Sequence, residues 1–236
     1  MKILLNPKYE HLRSYMTHLE EHFEQEGREI HSGRNSIRTL QVEDLTLCVK
    51  RFARATFRRE VQQLIYKTSK GKLAYLRPML LRERGFESPE SVALVRYRHG
   101  LWHTTAYYVC LLSNYRYRLD RLGEASVEEQ RDITDSFACF AARLHERGFL
   151  HRDFSSSNIL YDKVGNRYHF ALIDTNSIRC GSGVSIETGC RNLAQLTGSE
   201  AFFAQLVRVY AAERKADPTL CARLVNEARG ARQAAR

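Results

Sequence analysis

Long apolar runs are missing from this chain. Ile3, Leu4 and Leu5 are interrupted at once by Asn6 and Pro7, and no later run approaches the roughly 20 apolar residues of a membrane span. With neither a signal-peptide core nor a span, the expected location is the cytoplasm, with peripheral contact at the inner face of the cytoplasmic membrane as the one membrane role left open. Cysteine is sparse, and the six residues (Cys48, Cys110, Cys139, Cys180, Cys190 and Cys221) contain no C-x-x-C pair. That pattern points to free thiols in a reducing compartment rather than to a zinc site or a disulfide framework. Only four prolines occur, with no internal repeat and no low-complexity block, so no long linker is expected. Acidic residues are also short, 27 against 37 Lys plus Arg. The net charge of +10 calls for an anionic partner: a nucleotide, a nucleic acid, an acidic lipid head group or a phosphosugar. What is present is 236 residues with 43% hydrophobic content, enough for a real core in one large domain or two small lobes.

Patterning divides the chain. Tyr9, Leu12, Tyr15, Met16, Leu19 and Phe23 recur at spacings of three and four, so residues 1–24 read as an amphipathic helix. Strands follow at 28–30, 36–42 and 45–52, and in the last of these Leu45, Leu47 and Val49 share one face, which sends Lys50 to the other. A helical stretch over about 56–84 ends at Gly85. From 50 to 84 there are eleven Lys or Arg against Glu60 and Glu83, a local charge of +9. Residues 91–98 and 104–112 read as two strands joined at His99-Gly100. Ser126 with Glu129 three residues on is a capping box, and Ile133, Phe137, Phe140, Ala141 and Leu144 continue a helix that Gly148 closes. A polar run from His151 to Ser157, a strand, a turn at Gly165-Asn166 and an apolar strand ending at Asp174 come next, and the chain from Arg191 onward reads as helices.

The polar run carries the chemistry. His151-Arg152-Asp153-Phe154-Ser155-Ser156-Ser157-Asn158-Ile159-Leu160 matches H-R-D-[LF]-x-x-x-N-[IV]-L. Phosphoryl transfer needs one carboxylate to orient and deprotonate the attacking hydroxyl, while metal ions neutralise the phosphates. Asp153 and Asn158, five residues apart on a loop, can face acceptor and metal respectively. A second metal ligand must arrive from a neighbouring strand, and Asp174 ends one. Lys50, on the polar side of a strand about a hundred residues earlier, is the candidate to hold the α- and β-phosphates. Gly33, in Ser32-Gly33-Arg34-Asn35-Ser36, is the candidate for a phosphate-covering loop, although the run is not G-x-G-x-x-G.

Those residues resemble the Kdo/WaaP lipopolysaccharide kinase family, bacterial enzymes of protein-kinase-like fold. The likeness spans roughly 28–196. Arg38 to Phe52 looks like the family's strand with the ATP lysine, Gly85-Phe86-Glu87-Ser88-Pro89-Glu90 like its G-x-x-[ST]-P-x turn, and Tyr107-Tyr108-Val109 like its hinge-approaching strand. The loop 151–160, the strand ending at Asp174 and Arg191-Asn192-Leu193-Ala194-Gln195-Leu196 complete it. The resemblance implies an α+β, two-lobed fold: a small antiparallel-sheet lobe with a leading helix over 1–112, and a shortened, mainly helical catalytic lobe over 113–236. It implies ATP and Mg2+ as cofactors and a phosphorylated glycolipid or core oligosaccharide as substrate, phosphorylated on a sugar hydroxyl of the inner core (Kdo or heptose). It also calls for a Glu on the helix before Gly85 to pair with Lys50. The expected positions hold Leu76 and Arg77, which leaves Glu60, Glu83 or no Glu for the role.

Three functions are therefore in view. The first is the sugar kinase, favoured because only 62 residues follow Asp174, too few for the long activation segment and helical tail of a protein kinase. The basic 50–84 segment and the arginines at 208, 214, 223, 229, 232 and 236 suit a phosphorylated glycolipid at an anionic surface, and nucleic acid is not the expected partner. The second is a protein or small-molecule kinase of the same fold. The third is a nucleotide-binding pseudokinase or nucleic-acid-associated scaffold, for which the missing Glu and the net charge of +10 speak.

Overall fold

Alternation of apolar and polar residues from Ser36 to Arg51 builds the hairpin on which the first half is assembled. The computed structural model describes residues 1–33, 35–52, 70–99 and 103–234. Within them the chain divides into two units, residues 1–83 with 88–114, and residues 84–87 with 115–236.

The first unit is a six-stranded sheet of β1 (Lys2–Leu5), β2 (Arg28–His31), β3 (Ser36–Val42), β4 (Leu45–Arg51), β5 (Ser91–His99) and β6 (His103–Leu111), in the order β1-β5-β6-β4-β3-β2 with every pair antiparallel. Its first residues depart from the single helix expected. Lys2–Leu5 pair with β5, and only then do a 3-10 turn (Pro7–Leu12), α1 (Arg13–Thr17) and α2 (Leu19–Gln25) follow. Asn6 causes the break. Its backbone is extended and bonds to Val92 O at 2.9 Å, its amide donates to Ser91 O at 2.9 Å, and its carbonyl accepts from Lys8 N at 3.1 Å ahead of Pro7. Tyr9, Leu12, Met16, Leu19 and Phe23 still face one way, against Leu40, Leu47, Val49, Val95, Tyr107 and Val109, and these form the core of the unit. The opposite face carries Cys48, Lys50, Tyr108 and Cys110 and receives α3 (Lys70–Glu83), where Ser91 Oγ donates to Tyr75 O at 2.8 Å. The rest of the helix expected over 56–84 lies outside the described residues, as do Arg34, Glu60, Gly100 and Arg236.

The second unit is mainly helical. Its centre is α4 (Val127–Glu146), whose capping box is present with Ser126 Oγ accepting from Glu129 N at 3.3 Å. α5 (Ile186–Leu193), α6 (Glu200–Glu213) and α7 (Pro218–Ala234) follow, started by Ser185 for α5 and Ser199 for α6. Two small sheets accompany them: β10 (Arg167–Leu172), β9 (Ile159–Val164) and β7 (Tyr117–Arg118) in one, β11 (Ile178–Cys180) and β8 (Phe149–His151) in the other. β7, β8 and β11 are two or three residues long, below the length at which periodicity can show them. Residues 84–87 join this unit through Phe86, edge-on to Phe140 and Phe149 at 5.8 and 5.6 Å, and through Glu87 O, which accepts from Leu172 N at 3.0 Å.

Gly148, between α4 and β8, must be glycine for two reasons. Its φ is +80°, and a Cβ there would lie 1.9 Å from Gly181 O. Gly165, at the β9–β10 turn, has φ +60° and nothing within 4 Å of such a Cβ. Gly165→Ala is expected to cost only the left-handed backbone penalty, about 1 kcal/mol, and Gly148→Ala clearly more. Urea unfolding of both variants checks this; equal losses would show that the backbone around Gly181 yields.

Candidate active site

The motif segment folds as β8, a loop, a 3-10 turn at Ser156–Asn158 and β9. Phe154 anchors it: fully buried, it lies 5.9 Å from the Phe137 ring in α4. Asp153, next to it, is exposed. Asn158 Nδ2 donates to Asp153 O at 3.0 Å and to Asp153 Oδ2 at 3.2 Å, so the amide closes the loop onto its own carboxylate. Asp174 arrives by backbone bonding. β10 stops at Leu172, Ile173 N donates to Asn158 O at 3.0 Å, and His151 Nε2 donates to Ile173 O at 3.0 Å. Asp174 then takes a left-handed conformation, φ +52°, sparsely populated for a residue with a side chain and concentrated at functional sites. Its carboxylate is exposed and accepts from Asn176 Nδ2. Asp153, Asn158 and Asp174 are thus brought together within the helical unit.

Lys50 and Gly33 belong to the sheet unit. Lys50 stands opposite Tyr108 on the non-core face, with its ammonium 5.7 Å from the Phe52 ring. Gly33 is exposed in the connection between β2 and β3. Glu83 is exposed in the last turn of α3.

The donors suit magnesium. Asn158 commits its amide nitrogen to Asp153, which leaves Oδ1 as an oxygen donor, and Asp174 supplies a carboxylate. Magnesium is characteristically held by one or two protein oxygens plus water and substrate phosphate. Among the described residues no cluster of three or more His, Cys, Asp or Glu is placed to hold a metal ion.

Beneath the loop runs a buried hydrogen-bond chain that sequence reading did not anticipate. Asn192 Nδ2 donates to His151 O at 2.9 Å, so its Oδ1 accepts from His145 Nε2 at 3.1 Å. His145 Nδ1 therefore accepts from Tyr210 OH at 2.8 Å, and Tyr210 in turn accepts from Arg214 at 2.8 Å. Every bond runs one way, which fixes His145 as a neutral imidazole. Gly189 lets α5 approach: a Cβ there would meet Tyr210 Oη at 2.1 Å and His145 Nδ1 at 3.0 Å. The signal was a His and an Asn on otherwise apolar helix faces. Gln195 Oε1 accepts from Phe154 N at 3.2 Å, and Ser156 Oγ accepts from Thr197 N at 2.9 Å, completing the loop's support.

A search of solved structures matches the chain to one titled "WaaP in complex with acyl carrier protein", with a TM-score of 0.62 over 97% of this chain and 98% of that one, at 15% identity. The chain has a WaaP-like fold. No family model and no curated protein matches it. At that identity the likeness is one of fold, an antiparallel-sheet part followed by a helical part, and the WaaP-like architecture agrees with the α+β fold that the resemblance implied. Among the described residues no helix is long and apolar enough to cross a membrane.

Burial holds His145 well below the usual histidine range, at about 4, assisted by the Arg214 charge, while Asn192 acts in the other direction. Because the folded value lies below the unfolded one, the unfolded chain binds the proton more readily as pH falls. The contribution is therefore complete above about pH 6.5 and is lost toward pH 4, about 3 kcal/mol in all. Urea unfolding at pH 7 and pH 4 should show a loss of that order, and His145→Gln should flatten the slope whatever it does to stability at pH 7.

Proposed function

We propose that this chain is an ATP-dependent kinase that phosphorylates a sugar hydroxyl of the lipopolysaccharide inner core (Kdo or heptose). The observation that carries the reading is the gathering of Asp153, Asn158 and Asp174 on one exposed edge of the helical unit, with Asn158 Nδ2 bonded to Asp153 Oδ2 at 3.2 Å. Asp153 orients the acceptor hydroxyl and takes its proton on the oxygen that Asn158 leaves open. Asn158 and Asp174 hold magnesium, which when bound neutralises charge on the phosphates. Lys50 holds the α- and β-phosphates, and the loop at Gly33 covers them.

The tail arginines divide in a way the sequence did not show. Arg214 is spent on Tyr210 and on Val184 O at 2.7 Å, while Arg229 lies 3.8 Å over the Phe203 ring and pairs with Glu200 at 2.6 Å. Arg223 and Arg232, with the basic 50–84 segment, are then the charges proposed to meet a phosphorylated glycolipid or an anionic membrane face.

Incubation with Mg-ATP and deacylated core oligosaccharide, followed by mass spectrometry, tests the reading directly. Asp153→Asn should bind Mg-ATP nearly as well as the native chain and transfer phosphate about 10²–10⁴-fold more slowly. Asn158→Ala and Asp174→Ala should abolish turnover while leaving the unfolding midpoint nearly unchanged. Native turnover by Asp174→Ala would remove the metal assignment. ATP binding without transfer by the native chain would leave a pseudokinase, and transfer to a protein or small molecule alone would change the substrate class.

A further inference from the structure

Six free cysteines contain two close pairs, and the pairs differ in kind. Cys190 and Cys221, on α5 and α7, are both fully buried; their thiols are in contact, and burial pushes Cys190 up to about 12. A thiol so placed is inert. Cys48 and Cys110 stand directly opposite each other on β4 and β6, on the face that carries Lys50 and Tyr108 as the next pair along the ladder. Leu112 N donates to Thr46 O at 2.8 Å and Phe52 N to Ala106 O at 3.0 Å, at either end of the same register. Hydrogen-bonded pairs recur every second residue, so Cys48 and Cys110 form one, with a Cα separation typically about 5.5 Å. That falls within the roughly 4.4–6.8 Å of disulfides, but a hydrogen-bonded pair holds its Cβ atoms about 5.5 Å apart, beyond the roughly 3.5–4.5 Å of a relaxed bridge, so closing the pair strains the ladder and leaves the bond readily reduced.

The two thiols are not equivalent. Cys110 is buried and donates to Cys48 O at 3.7 Å, whereas Cys48 is partly exposed. The Cys110 thiol hydrogen-bonds to Cys48 and lowers its pKa, burial opposes this, and the Lys50 ammonium lowers it further. The same sharing pushes Cys110 well up, so only one of the pair ionises readily, and that one is the accessible one.

We propose that Cys48 and Cys110 are a reversible thiol–disulfide site on the Lys50 face of the sheet, oxidised by hydroperoxides. The Cys48 thiolate attacks one peroxide oxygen, the O–O bond breaks, and the other oxygen leaves and takes a proton as water or an alcohol. The sulfenic acid formed on Cys48 is then attacked by Cys110 sulfur; the S–S bond forms, the S–O bond breaks, and the Cys110 proton leaves with the hydroxyl as water. Two electrons pass from the sulfurs to the peroxide, and an external dithiol returns them. Closing the pair draws two side chains together one step from Lys50 and changes the local strand geometry there. On the reading of Lys50 as the phosphate-holding lysine, which this consequence alone rests on, the oxidised chain binds Mg-ATP more weakly.

The full chain is treated with hydrogen peroxide, its free thiols are alkylated, and its peptides are mapped by mass spectrometry before and after dithiothreitol. The expected result is a Cys48–Cys110 linkage that dithiothreitol removes, with Cys190 and Cys221 still free thiols. Cys110→Ser should stop at a sulfenic acid on Cys48, trapped by dimedone. If the native chain keeps both Cys48 and Cys110 alkylatable after peroxide, or links Cys48 elsewhere, the proposal is overturned; this readout does not depend on any variant folding. If the linkage forms and Mg-ATP affinity is unchanged, the coupling to Lys50 is overturned. If the linkage forms while the reduced chain binds no nucleotide, the thiol site stands and the kinase reading fails.

Discussion

A loop that must present carboxylates to solvent while its backbone runs through a packed helical body has to find a partner for each peptide group it buries. The segment from His151 to Asn158 meets that constraint with side chains. Asn192 meets the carbonyl of His151, Gln195 the amide of Phe154, and His151 itself accepts from Asp153 N at 3.2 Å while donating to Ile173 O. Burial holds His151 below the usual histidine range, which keeps it in the neutral form that can do both. Remove the requirement, and there is no reason for a fully buried His145, a buried Asn192 or a glycine at 189. With it, α4, α5 and α6 are tied to one loop by a single directional hydrogen-bond chain.

The sheet unit solves a different problem, because a sheet has two faces and only one is used for the core. Leu47, Val49, Tyr107 and Val109 pack under the leading helices, with Phe23 and Tyr107 in edge contact at 5.2 Å. Period-two alternation then obliges Cys48, Lys50, Tyr108 and Cys110 to the other face. That face is polar without being plainly solvated: Tyr108 OH lies 3.0 Å from Ser91 Oγ, which also bonds to the backbone of α3. The two thiols share a hydrogen bond beside the Lys50 ammonium, which is why Cys48 and Cys110 separate in acidity although they are the same residue type on one ladder.

Much of this was legible because it is local. The capping box at Ser126, Gly148 after α4, the alternation that turns Lys50 away from the core, and the strand leading to Asp174 all express rules acting over a few residues. Misreadings came where a distant partner outweighed the local pattern. Lys2–Leu5 joined a helical reading, yet pairing with Ala93-to-Arg96 across some ninety residues makes a strand of them. Arg214 and Arg229 read as surface charge until an aromatic ring and a backbone carbonyl claimed them.

By itself the sequence determined the longer strands and helices, the mixed antiparallel and helical architecture, and the identity and spacing of the loop residues, since these follow from periodicity, capping chemistry and a ten-residue motif. Tertiary structure alone decided which buried polar groups support that loop, that Asp174 sits in a left-handed backbone beside Asn158, and that Cys48 faces Cys110. The physical reason is register. Which residues stand opposite one another across strands, or meet between helices, depends on how whole elements pack, and no spacing along the chain encodes a contact between residues 48 and 110 or 145 and 210.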